Sequence, residues 1–474
     1  MTLRSIPALL AIGCALLLAT GVAHAKPMAP CVGACLDEPE PTLPAPALVQ
    51  PALLSGPNFR VIPEVQVRGY MAHFLIDTTF GPISADSVEM LGVRVGEMPA
   101  IEALDRASRS EAFGQAIAER GKKTGNAIVN VVSHPVDAIT GLPVGVVRYL
   151  RAQLDTWTSR AQAVADRSSR QFENRGDPFR APPGPMTAGR LGDDGDAGNA
   201  QKKSRSWYAR LGSEAGREAK RYLKYSQQRR AMAKLLGVDP NSTNPILNDK
   251  LDTLAWAAVG GNFSAAQALG QVAGTAADVI SYSGKVNQYV LEKEPEPLRE
   301  DVRKRLAKFC SDDDSVRSFL HRGGFTDTQR VALVEALEKL RPESGCNELV
   351  ELATTTRGEV EARYLTNSLK LIETRAARGV GTLIVAGSGL AWRGADGRLL
   401  LPLPVDYLTW NHDLGAFFDQ RELAGRDRTV LIGGDASMAA QREMTARGWS
   451  LALRAPYAGA PLYAGADVSR GRPQ

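Results

Sequence analysis

The residue types best suited to nucleophilic chemistry lie near the C-terminus: Ser388 between two glycines, His412, and the acids Asp406 and Asp435. A hydroxyl activated by an imidazole that an acid orients is the arrangement of a serine hydrolase. Gly387-Ser388-Gly389 departs from a nucleophile elbow, because the glycines should stand two positions either side of the serine, where Ala386 and Leu390 are found. The turn also leads into a hairpin pattern, not a helix. This quartet therefore supports a periplasmic hydrolase only as the second reading. Gly433-Gly434-Asp435 precedes a helix-like run and would offer backbone amides to an anion. A carboxylate at such a cap takes the same donors, so capping is the expected role and no nucleotide is expected.

Metal chemistry finds less support. His73, His134, His321 and His412 are far apart with no ligand-like spacing. From Asp239 onward, oxygen-bearing side chains alternate like the start of a calcium loop, but the twelfth position is Lys250 and Pro245 interrupts the backbone. Asp239 and Asn244 are expected to cap turns. Asp312-Asp313-Asp314 reads as the acidic first turn of a helix. No cofactor is expected.

Charge is more informative. Between Lys202 and Arg230 only Glu214 and Glu218 oppose a run of Lys and Arg, with Trp207, Tyr208, Tyr222 and Tyr225 interleaved. Lys202, Lys203, Arg217, Lys220, Arg221 and Lys224 are the candidate anion-binding residues, and an anionic envelope surface is the partner they would suit. A solvated basic helix whose aromatics anchor it to its own domain is the simpler reading.

The N-terminus supplies the compartment. Arg4, an uncharged run from Ser5 to Val22 and then Ala23-His24-Ala25 read as a secretory signal peptide cleaved after Ala25. Periplasmic or secreted localisation is the expectation. Cys14 lies inside the signal, and the other four cysteines are even in number in a chain headed for an oxidising compartment. The expected pairs are Cys310 with Cys346, stapling a helical unit, and Cys31 with Cys35, closing a small local loop.

Composition divides the 474-residue chain. After the signal comes a Pro-rich leader (26–58), read as extended or disordered. Residues 59–172 hold short strands, with Leu91-Val93-Val95 as the last of them, then a helix from Ile101 to Arg120 and a helix hairpin. Residues 173–203 are a Gly/Pro/Asp-rich linker. An α-helical domain follows (204–377), including a charge-free run from Leu254 to Ala277, then a small α/β unit (378–465) and a tail (466–474). In that unit Thr382–Ala386 is a strand, Ala395-Asp396-Gly397 a hairpin turn, Tyr407–Phe418 a helix, and Thr429–Ile432, Ala436–Arg447 and Trp449–Leu453 a strand-helix-strand unit. The fold class expected is multidomain α+β: a small β-rich N-terminal module, an α-helical middle domain and a small α/β C-terminal unit.

The segment from Asn126 to Val146 contains His134-Pro135-Val136 and Gly141-Leu142-Pro143-Val144-Gly145-Val146. It resembles an N-P-V-x-x-x-x-G-L-P-x-G-V pattern of exported proteobacterial proteins with no assigned activity, to which Gly69-Tyr70-Met71 is also similar. The departure is His134 where Asn is usual. The resemblance implies export and transfers no catalytic residue. An apolar face here, flanked by Arg148, Arg151, Trp157 and Arg160, would also suit peripheral membrane contact. Together these features point first to a non-catalytic, envelope-associated binding or scaffold protein with an envelope protein or anionic surface as partner, second to the hydrolase, and third to a membrane-surface-active protein. The oligomeric state is left open.

Overall fold

The computed structural model describes residues 37–109, 213–260, 269, 288–321, 324–356, 358–377, 380–387 and 389–465. The chain divides into two units, Met1–Leu36 and Asp37–Gln474, and all described residues belong to the second. The signal peptide, Cys31, Cys35, the 126–147 segment, the linker, Lys202, Lys203 and Ser388 lie outside the described residues. The architecture is mixed α+β.

The first sheet is antiparallel, with β1 (Thr42–Pro44), β4 (Glu64–Arg68), β5 (Met71–Thr78), β3 (Phe59–Val61) and β2 (Ser55–Gly56) in that order, and β6 (Ile83–Ala85) pairing with β5. Its alternation is the period of a half-buried strand. Val65, Ala72, Phe74 and Ile76 point inward, while Glu64, Gln66, Leu75 and Asp77 are exposed. The buried face packs with Leu91, Ile101 and Leu104 of α2 (Val88–Ser108). Two expectations are corrected here. Leu91-Val93-Val95 is the start of this helix and not a strand, because the Ser87 hydroxyl accepts from the Met90 amide and starts a helix there. The Pro-rich leader contributes β1, β2 and the short helix α1 (Ala45–Leu48), because Ala45, Leu48, Val49 and Leu53 are buried in the same core.

Among the described residues, the helical region comprises α3 (Ser213–Leu236), α4 (Pro245–Gly260), α5 (Gln288–Glu292), α6 (Pro295–Leu306), α7 (Asp313–His321), α8 (Asp327–Leu340), α9 (Cys346–Thr354) and α10 (Glu359–Glu373). The helix-like run from 346 to 377 forms two helices, α9 and α10, separated around Gly358. Cys310 and Cys346 form a disulfide with Cα atoms 5.0 Å apart, and α7 and α8 lie between them in sequence. Asp312 accepts from the Asp314 and Ser315 amides, and Asn244 from those of Ile246 and Leu247, so both act as helix-start caps. Lys250 pairs with Asp105 at 2.6 Å. No described helix is long and apolar enough to cross a membrane.

The second sheet runs β13 (Ser450–Ala452), β11 (Arg428–Ile432), β9 (Leu399–Leu403), β8 (Gly389–Gly394) and β7 (Gly381–Ala386). β9, β11 and β13 are mutually parallel, and β7, β8 and β9 antiparallel. The helix between β11 and β13 is α12 (Met438–Ala446), the crossover that a parallel pair requires. Tyr407 does not begin a helix. Tyr407–Leu408 is the short strand β10, parallel to β12 (Asp435–Ala436), and the helix α11 (His412–Phe418) starts after the cap Asn411, whose side chain accepts from the Leu414 amide.

Candidate functional site at the buried acid Asp406

The turn joining β4 to β5 is Gly69-Tyr70, with φ of 58° and 67°. A two-residue hairpin with positive φ at both central positions matches the twist of its strands, but a bulky side chain rarely adopts that conformation. Surroundings hold Tyr70 there. Its ring is buried, its carbonyl accepts from the Asp406 and Tyr407 amides at 3.0 and 3.1 Å, and its hydroxyl accepts from Asn411 Nδ2 at 3.0 Å. The hairpin tip is thereby fixed beside β10.

Asp406 follows directly from this placement. The residue is 2% exposed, and each carboxylate oxygen is engaged. Oδ2 accepts from the Ala72 amide of β5 at 2.9 Å and from the Val88 amide at the start of α2 at 3.1 Å, while Oδ1 accepts from the Tyr463 hydroxyl at 2.8 Å. Burial pushes its pKa up to about 6 against the opposing pull of those three donors, and the nearby Glu89 adds to the rise. Burial likewise raises the phenols of Tyr457 and Tyr463.

Next to it runs a chain of ion pairs that closes over the start of α2. Glu89 accepts from Arg363 Nη1 at 2.7 Å and from Asn367 Nδ2 at 2.6 Å. Arg363 also grips Glu359 through Nε at 2.8 Å, and the two glutamates hold its pKa above the ordinary guanidinium value in spite of burial. Through Thr243 the chain continues to Arg94, which bonds Glu97 at 3.2 Å, and Glu97 accepts from Asn244 at 2.9 Å. Lys370 lies one turn past Asn367 on α10, where burial lowers its pKa. Glu89 and Arg363 keep 15% and 22% of their side chains exposed. The site therefore offers a buried acid and a partly open carboxylate-guanidinium network.

The other residues singled out in the sequence have separate positions. Asp435 is bound by Arg454, through Nε at 3.0 Å and Nη2 at 2.7 Å, and it does not cap α12; Ser437 does, accepting from the Ala440 amide. Asp435 and Asp406 are neighbours through the backbone, since the Asp435 amide donates to the Asp406 carbonyl at 3.0 Å. Gly434 makes that approach feasible, because a Cβ there would stand 2.0 Å from the Asp406 carbonyl oxygen. His412 is exposed at the start of α11, its amide donating to Asp37 Oδ1 at 2.7 Å. Its imidazole makes no hydrogen bond to Asp406 or Asp435 among the described residues, so His412 is not paired with either of these acids; an imidazole-acid pair is present in His73 with Asp86, at 3.0 Å. Of the basic run, Arg217, Lys220 and Arg221 lie on α3 with side chains outside the described residues, while Lys224 is exposed. At the end of the run Tyr225 and Arg229 both bond Asp252, at 2.5 and 2.6 Å.

Sequence reasoning singled out Asp406 but missed Tyr70, Glu89, Arg363, Asn367, Tyr457 and Tyr463 as its surroundings. The Glu359-Arg363 pair was open to detection, because residues four apart on a helix face each other. Glu89 and Arg363 are 274 positions apart and leave no local signal. Comparison with known proteins finds no matching family, no matching characterised protein and no matching solved structure.

Proposed function

We propose that the chain is an exported, envelope-associated binding or scaffold protein. The observation that carries the binding reading is the use made of its acids. Asp406 spends its carboxylate on Ala72, Val88 and Tyr463, and Asp435 spends its on Arg454. Both hold segments together, whereas a catalytic acid needs a free path to a base or substrate. On the surface, the open face of the first sheet presents Leu75, 56% exposed, beside Ile62, whose amide donates to the Leu75 carbonyl at 2.9 Å. Export is supported by the disulfide between Cys310 and Cys346, a bond that persists in oxidising compartments.

The test is capture from envelope extract at low and high salt by the mature chain and by a variant lacking residues 202–230, with bound proteins identified by mass spectrometry. A defined partner retained at high salt is the expected result. Salt-labile capture lost with the deletion would assign binding to the basic run and an anionic surface instead. Absence of capture under both conditions would overturn the reading.

A further inference from the structure

Residues 37–41, Asp-Glu-Pro-Glu-Pro, form a strap held mainly through its carboxylates. Asp37 Oδ1 accepts from the His412 amide at 2.7 Å. Glu38 Oε2 accepts from the Trp410 amide at 2.6 Å and from the Ser437 hydroxyl, while the Glu38 amide donates to the Trp410 carbonyl at 2.9 Å. Glu40 Oε1 accepts from the Gly69 amide of the β4–β5 turn at 2.8 Å. The strap then enters the first sheet, where the Val67 amide donates to the Pro41 carbonyl at 2.9 Å and β1 begins. Asp37, Pro39 and Glu40 are exposed and Glu38 and Pro41 half-buried, so the strap has no buried apolar anchor. The receiving side is the reverse: Gly69, Trp410 and Ser437 are buried. Three amides and a hydroxyl meet the three carboxylates, and no cation forms an ion pair with them among the described residues. Without the strap, these donors would need other acceptors.

We propose that the surface formed by Gly69, Trp410, His412 and Ser437 is a binding site for an extended acidic peptide of a partner protein, and that residues 37–41 are its resident occupant. The inference rests on the binding function proposed for the chain and supplies the chemistry of the partner: carboxylates spaced as in Asp-Glu-x-Glu on a chain that proline keeps extended. Pro39 and Pro41 fix φ and carry no N–H, so a segment of this kind is extended beforehand and gives up little freedom on seating. Each bond from a neutral donor to an ionised carboxylate is charge-assisted, and the spacing of the four donors selects the spacing of the acids. The resident strap competes at the high effective concentration of a tethered segment. A free peptide therefore binds the intact chain weakly and a chain with an emptied strap more tightly.

Fluorescence anisotropy of a labelled peptide, Leu-Asp-Glu-Pro-Glu-Pro as in residues 36–41, tests this when titrated with the full mature chain and with its Asp37→Ala/Glu38→Ala/Glu40→Ala variant. The variant, its strap stripped of carboxylates, is expected to bind the peptide at least about tenfold more tightly than wild type. A peptide with Asn and Gln in place of the acids is expected to bind the variant at least about tenfold more weakly than the acidic one. Equal binding by wild type and variant, no binding by the variant, or equally tight binding of a peptide with the acidic sequence reversed would overturn the proposal. If the triple variant does not fold, Glu38→Ala, which frees two of the four donors, serves with the same expectations. Failure of the peptide to bind while envelope capture is retained would remove this site alone and leave the binding function standing.

Discussion

The two sheets bury their strands in different ways. In the first, β5 alternates: Phe74 and Ile76 are in the core while Leu75 and Asp77 face solvent. In the second, all five residues of β9, Leu399 to Leu403, are buried. The cause is connectivity. The antiparallel sheet needs cover on one face only, and α2 provides it. β9 lies centrally, between β8 and β11 and packed with α10, and the burial of every one of its residues shows that both faces are closed. The comparison teaches that a binding surface can be sought on the first sheet, where side chains remain available, whereas the second is committed to packing.

Substitutions can break this contrast, and the largest effects belong to the closed sheet. Leu400→Ala and Leu401→Ala, adjacent and on opposite faces, are each expected to cost about 2–5 kcal/mol in urea unfolding. Equal and small losses at both would show that β9 is not enclosed. In β5 the neighbours should separate: Phe74→Ala is expected to cost about 3–5 kcal/mol and Leu75→Ala to fall within about 0.5 kcal/mol of wild type. A comparable penalty at Leu75 would mean that this face is covered. Between the sheets, Arg363→Met leaves Glu89 and Glu359 without their shared cation and is expected to cost about 3–5 kcal/mol. Replacing Cys310 and Cys346 together by Ser removes a 36-residue constraint, with an expected loss of about 2–4 kcal/mol by denaturant titration under non-reducing conditions. The smallest effect is Tyr70→Phe, which removes the Asn411 bond from an otherwise intact turn and should cost about 1 kcal/mol.

The sequence made some of this legible and hid the rest for physical reasons. Alternation placed the strands around Val65 and Phe74, and the helix between Val430 and Leu451 required the parallel pairing that is found. The Cys310–Cys346 pair was readable because an even number of cysteines beyond the expected signal peptide and their placement at the ends of helix-like runs leave few partners. Leu91-Val93-Val95 misled because its strand-like spacing gives no weight to the cap at Ser87. Tyr407 misled because its strand exists only through pairing with Asp435, a contact invisible in local pattern. Asp406 was noticed for its type, as a catalytic acid; its role depends on Ala72, Val88 and Tyr463, which no spacing rule brings to it.

The central claim is that Asp406 fastens the structure and does not react or bind. Unfolding and envelope capture measured side by side on Asp406→Asn at pH 7.5 test it most directly. The account predicts a folded variant, more stable than wild type by up to about 3 kcal/mol because the buried charge is gone, with capture unchanged. A variant equally folded but unable to capture would contradict it, and would make Asp406 part of the site itself.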